Sequence, residues 1–147
     1  MQQGKSLGLK EARIIVDAII EASDKSEGRA MAAAVTDRHS HLVYLARMDG
    51  ASPLTARMAH YKCTTALDCM RDTIEQRKVL DGMNLDYWEF CSPTYTLVPS
   101  GCLIKTKDGT VVGAVGTSGR APLAPMGDEE LSRIGINAFE ESEYFEQ

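Results

Sequence analysis

The stretch HLVYLARMDGASPLTARMAHYKCTTALDCM, His41 to Met70, carries a strand, a tight turn and a helix in succession. In its first arm Leu42, Tyr44 and Ala46 alternate with Val43, Leu45 and Arg47, so the two sets face opposite sides of a strand. Arg47 emerges at the strand's end, beside the turn MDGA. Ser52-Pro53 then opens a helix, since Ser caps well and Pro suits the first helical position. Ala59, Cys63, Ala66, Leu67, Met70 and Ile74 recur at three- and four-residue steps, which predicts one long helix with an apolar face. Lys62 lies about 100° round the helix from Cys63, at the margin of that face. The polar group Tyr61, Lys62, Thr64 and Thr65 is therefore either the wet edge of a core helix or a working site.

Upstream, AMAAAVTD joins HLVYLARM through DRHS, which reads as a β-hairpin. Before it, GLKEARIIVDAIIEAS places Ala12, Ile15, Val16, Ile19 and Ala22 on one face of an amphipathic helix. Leu7 and Glu11 around Gly8 give a weak staple and half a capping box. SDKSEGR ends that helix.

Downstream, EQRKVLDGMNLDYWEFCSPT is polar and then aromatic, punctuated by Gly82 and Pro93, and predicts a lid or partner-facing element with a short helical turn around Leu85 to Phe90. With Tyr87, Trp88 and Phe90 it forms an aromatic lid, a core contact or a subunit contact. TYTLVPSG gives a strand through Leu97 and a break, followed by a strand from Cys102. Asp108-Gly109 signals a hairpin into a last strand, Thr110 to Gly116. The glycines of GAVGTSG imply close backbone approach to a helix or a ligand. Asp128 caps a final helix with Leu131, Ile134 and Ala138 on one face. The order is α-β-β-α-(α)-β-β-β-α, an α+β fold of about five mainly antiparallel strands packed by long helices, in one domain over 1–147.

Apolar content of 44% and charged content of 25% are ordinary globular values. No window approaches the roughly 18 apolar residues of a membrane span, and the start lacks the pattern of a secretory leader, so a cytoplasmic, membrane-free protein is expected. Net charge is −5, with acids crowded in the C-terminal DEELSRIGINAFEESEYFEQ, which argues against nucleic acid as a partner. Cys63, Cys69, Cys91 and Cys102 form no C-x-x-C pair and read as reduced, mostly buried thiols, with Cys91 in a loop as the one open to redox or nucleophilic chemistry.

LGLKEARIIVDAIIEA, AVTDRHSHLVYLARMDGAS, ARMAHYKCTTAL, GTVVGAVGTSG and DEELSRIGINAF occur in that order, and together they resemble the GlcG/HbpS family, the haem-degrading-domain or PduO C-terminal-like proteins. The resemblance implies a profilin-like fold, frequent homo-oligomers, and haem binding or accessory roles in small-molecule catabolism. It also implies an iron-ligating histidine early in the chain. Here the first helix has none, and the three histidines are His39, His41 and His60.

On that basis the expected ligand site comprises Arg47, Lys62, Thr65, Trp88 and the backbone of Gly116, Thr117, Ser118 and Gly119. Arg47 and Lys62 would converge on a carboxylate or haem propionate, Gly116–Gly119 would act as an anion nest, and Arg120 would add a third cation. The alternative for Lys62 is a snorkelling side chain paired with Asp49 or Asp68. Two functions follow: an oligomeric accessory protein holding a small anionic planar ligand, haem or a catabolic intermediate, and an enzyme acting on an acidic substrate. In the enzyme Lys62 is a base, a Schiff-base amine or an electrostatic catalyst, with Tyr61 or Asp49 as its proton partner. His39 and His41 share a strand face but lack a third metal ligand, so no metal site is assigned. His60 is a surface residue or an axial ligand, and Glu140 with Glu143 has iron-site spacing in an acidic tail whose expected partner is solvent.

Overall fold

The computed structural model describes residues 5–86 and 92–146. Its sheet begins with the hairpin of β1 (Ala32–Asp37) and β2 (Leu42–Arg47). Asp37 closes the turn, its Oδ1 accepting from the backbone N–H groups of His39 and His41. Val35 pairs with Tyr44 and Thr36 with Leu42, which leaves Val43 as an extra residue on β2. Such a bulge interrupts strict alternation. Val43 accordingly packs on the same side as Tyr44 and Ala46, not opposite them as the sequence pattern predicts.

The helix α1 (Leu9–Asp24) precedes the hairpin and buries Ala12, Ile15, Val16 and Ile19 as expected. After the hairpin, Ser52 caps α2 (Pro53–Cys69) by accepting from the Thr55 N–H. The apolar periodicity runs on to Ile74, but α2 stops at Cys69. Met70 takes the left-handed conformation, is 59% exposed, and the Arg71 N–H donates to Ala66 O in a helix-ending bond. A separate helix, α3 (Thr73–Gly82), follows. Its first residue is clamped to the 98–101 segment: the Thr73 N–H donates to Gly101 O, and Thr73 Oγ1 donates to Val98 O.

β3 (Cys102–Lys105) and β4 (Val111–Ser118) complete an antiparallel sheet of order β2-β1-β4-β3, joined by the expected turn at Asp108-Gly109. Among the described residues the sheet has four strands, slightly fewer than the expected five or so, and the α+β class holds. The segment through Leu97 is irregular because Thr65 of α2 takes its backbone groups: Thr65 Oγ1 accepts from the Thr96 N–H and donates to Thr94 O. The expected turn around Leu85 to Phe90 falls largely outside the described residues.

α4 (Asp128–Glu140) shares one face of the sheet with α1, over Met31, Ala33, Val35 and Val115. Its buried face runs through Leu131, Gly135, Ile136 and Phe139, with Ile134 and Ala138 at the margin. The tail beyond α4 folds back on this core through Tyr144 and Phe145, while Glu140 and Glu143 stay exposed. α2 covers the other face with Ala59, Cys63 and Ala66 against Ala32, Ala34 and Ala114. Small residues on both sides let the helix lie close. A Cβ at Gly116 would meet Ala59 O at 2.2 Å, which explains one of the late-strand glycines as helix packing. No helix among the described residues is long and apolar enough to cross a membrane.

Gly116→Ala is expected to destabilise the protein by about 3 kcal/mol, since backbone must move to admit the methyl group. Gly82→Ala, in open space at the end of α3, should stabilise by about 0.5–1 kcal/mol. Urea midpoints of the two variants check both signs.

Candidate functional site

Cys102 is the first residue of β3 and pairs with Val115, so Gly116 to Ser118 of β4 have no β3 partner. This leaves a notch in the sheet, and the side chain of Lys62 enters it from α2. Lys62 is 1% exposed although it stands at the margin of the apolar face. Its Nζ donates to Thr117 O at 2.6 Å, to Ser100 Oγ at 3.1 Å and to Asp128 Oδ2 at 3.5 Å. Asp128 opens α4 on the opposite face of the sheet, so this one side chain links the two outer layers. Room for it comes from glycine: a Cβ at Gly101 would sit 2.4 Å from Lys62 O.

The surrounding groups are satisfied in turn. Ser100, held at φ 107°, donates through Oγ to Thr117 O, and Ser132 Oγ donates to Ser100 O at 2.8 Å. Thr117 Oγ1 donates to Asp128 O and meets Ser132 Oγ at 3.0 Å. The second carboxylate oxygen of Asp128 accepts from the Arg120 N–H at 3.1 Å. Asp128 is thus not a helix cap; Gly127 holds that position. Burial pulls the Lys62 ammonium below the usual lysine range against the opposing pull of Asp128, and burial pushes the Asp128 carboxyl up. The pair expected on the surface with Asp49 or Asp68 is instead an internal one. Lys62, enclosed by three acceptors, is a positioning group in this geometry and is not presented to a substrate.

The other residues singled out in the sequence lie apart from it. Arg47 is exposed on β2, and β1 and β4 stand between its strand and the notch, roughly 10 Å of strand spacing. The two cations therefore do not converge. Gly116 to Ser118 are strand residues paired with β1, so their N–H groups point alternately and form no nest. Gly119 at φ 125° packs on Ala30 and Met31. Arg120 is buried, its guanidinium donating to Ser23 O, Arg29 O and Met126 O and to Ser26 Oγ, which fastens the end of α1. Thr65 pins the 94–96 segment, and Thr64 back-bonds to His60 O. Tyr61 is half-buried, and Asp49 is exposed in its turn. Trp88 and Cys91 lie outside the described residues. His41 pairs with Asp37 at 3.3 Å, and His39 Nε2 accepts from Arg38. His60 Nε2 is buried with no hydrogen-bond partner among the described residues. No group of three metal-ligating side chains comes together among the described residues.

Beside the notch lies a cavity of about 650 Å³ between α3 and the loop 121–124. Ile74, Pro99, Pro122 and Leu123 give it apolar walls, with Arg77 and Lys78 at its edge. Lys78 pairs with Glu75, whereas Arg77 has no ion-pair partner among the described residues. Pro99 precedes Ser100 and Ala121 follows Arg120, so both loops that wall the cavity are anchored by the Lys62–Asp128 network. Sequence reasoning missed this site. The stretch beginning EQRK reads as the polar start of a lid or partner-facing element, and only the loop some 45 residues downstream makes it one wall of a cavity.

The layers and sheet order define an α+β fold of the profilin-like kind, with a polar link through the sheet. The chain belongs to the HbpS-like family of haem-degrading proteins, whose model matches residues 7–136. Among solved structures it is similar to Klebsiella pneumoniae protein ORFY, with TM-score 0.81 and 21% identity over 97% of each chain. It is also similar to a double mutant of Streptomyces reticuli HbpS, with TM-score 0.78 and 27% identity over 93% of this chain and 89% of that one. A PduOC–haem complex shares the fold at TM-score 0.75 and 18% identity, covering 90% of this chain and 94% of its own. No curated protein sequence matches.

Removing one member of the buried pair leaves the other uncompensated. Lys62→Met and Asp128→Asn should each cost about 3–5 kcal/mol, and the double variant at least about 1 kcal/mol less than their sum. In Lys62→Met the carboxyl keeps its upward displacement without the opposing cation, so its folded pKa exceeds the unfolded value near 3.8. The folded state then binds the proton more tightly. Stability of that variant should be greatest at low pH and fall as pH rises through the folded pKa, as denaturation across pH 4–8 will show.

Proposed function

We propose that this protein is an accessory protein that binds a planar, largely apolar, anionic ligand of the haem type in the cavity between α3 and the loop 121–124. The observation that carries the proposal is the unpaired Arg77 at the edge of an apolar cavity of about 650 Å³, within the range of roughly 300–1,000 Å³ of small-molecule sites. The family description and the likeness to HbpS support the ligand class. Homo-oligomeric assembly and a cytoplasmic address belong to the same proposal.

The residues present fit part of haem. The walls suit the ring and Arg77 suits a propionate, but no described residue lining the cavity is a His, Cys, Met or Tyr. His60, with its unpartnered Nε2, is not part of the lining. The iron therefore finds no side-chain ligand among the described residues of the lining. Lys62 and Thr65 enter as supports of the walls. Arg47 lies on the far edge strand and takes no part in this cavity.

Titration with haemin should give a saturable shift of the Soret band. Leu123 is 70% exposed, so its replacement should leave folding intact; Leu123→Asp sets a carboxylate against the ligand and should weaken binding about tenfold or more. Absence of a saturable shift, or full retention in Leu123→Asp, overturns the proposal. Light scattering of the same samples reads the oligomer.

A further inference from the structure

We infer that ligand recognition in this cavity is indifferent to the metal: it reads an apolar ring and a carboxylate, so a porphyrin without iron binds as well as haem does. The inference rests on the cavity being the ligand site, as proposed above, and names what that site selects. Three observations carry it. The lining offers Ile74, Pro99, Pro122 and Leu123 for ring contact and no iron-ligating side chain among the described residues. Arg77 is exposed at the edge and lacks an acidic partner among the described residues, although Asp81 lies one helical turn away on the same lining. A guanidinium left open in this way suits a carboxylate, which it grips with two parallel N–H donors.

The walls are also fixed before any ligand arrives. Thr73 clamps the start of α3 to the 98–101 segment, and Gly127 holds the 121–124 loop, its N–H donating to Ala124 O. A Cβ at Gly127 would lie 2.0 Å from Ala121 O, so the loop closes tightly on itself. Pre-formed walls favour a rigid apolar body over an extended flexible chain, because little ordering is required of either partner.

The test compares haemin, metal-free protoporphyrin IX and zinc protoporphyrin on the wild-type protein, Arg77→Gln and Arg77→Lys, read by Soret absorbance and porphyrin fluorescence. Equal affinity for the three compounds within about threefold is expected. Arg77→Gln should weaken all three by a similar factor of roughly three to ten, with partial recovery in Arg77→Lys. Salt should diminish the difference between wild type and Arg77→Gln. Haemin binding more than about threefold tighter than the metal-free ring overturns the inference and leaves the haem-type proposal standing, whereas unchanged affinity in Arg77→Gln overturns both. No binding of any of the three removes both.

Discussion

A lysine ammonium with almost no exposure must find its solvation inside the protein, and the layout of this fold follows from where Lys62 finds it. β3 has four residues and β4 eight, so β4 runs on past its neighbour and offers the Thr117 carbonyl into the gap. Ser100 bends through a left-handed conformation to bring its hydroxyl to the same point, and Asp128 supplies the counter-charge from the opposite layer. The gap is narrow: any side chain at Gly101 or Gly116 would collide with the backbone of α2. An apolar substitute of matched shape would often be as stable as such a pair. What the ion pair supplies is orientation, because α2, the loop before β3, β4 and α4 are held in one register by groups that tolerate little misplacement.

That register determines the cavity. Ser100 and the Arg120 N–H belong to the network, and the residues next to them, Pro99 and Ala121, form parts of two walls. The third wall depends on the break between α2 and α3. Asp72 accepts from the Leu103 N–H and pairs with Arg133 of α4, so the chain turns there and α3 presents Ile74 and Arg77 to the loop opposite. The cavity is a consequence of backbone fastenings made elsewhere in the core.

Elements with local causes were legible in the sequence. Periodicity marked α1, a Ser-Pro start marked α2, and Asp-Gly marked the β3–β4 turn. The failures have nonlocal causes. Lys62 lies at the margin of its helix face as periodicity says, but the segment 94–101 covers that margin, and nothing near Lys62 encodes it. TYTLV alternates like a strand, yet Thr65 satisfies its backbone from a helix. Arg47 and Lys62 looked convergent because only one turn separates their elements; the sheet order sets two strands between them. Arg120 reads as a free cation beside glycines, while its partners Ser23, Ser26 and Arg29 lie more than ninety residues upstream.

The same distances bear on chemistry. Burial pushes the thiols of Cys63 and Cys102 well above their ordinary range, so neither is a thiolate at neutral pH. Lys62 carries the strongest chemical suggestion in the sequence and is closed off by its own acceptors. Lys62, Cys63 and Cys102 are thus enclosed in the packing between the layers. The described side chains that line the cavity are those of a helix edge and a proline-rich loop, and they offer apolar contact and charge. Loops on a fixed scaffold change more freely than the scaffold does. The layers themselves are shared with solved structures at 18–27% identity, so the fold does not depend on most of the side chains that stand in those loops.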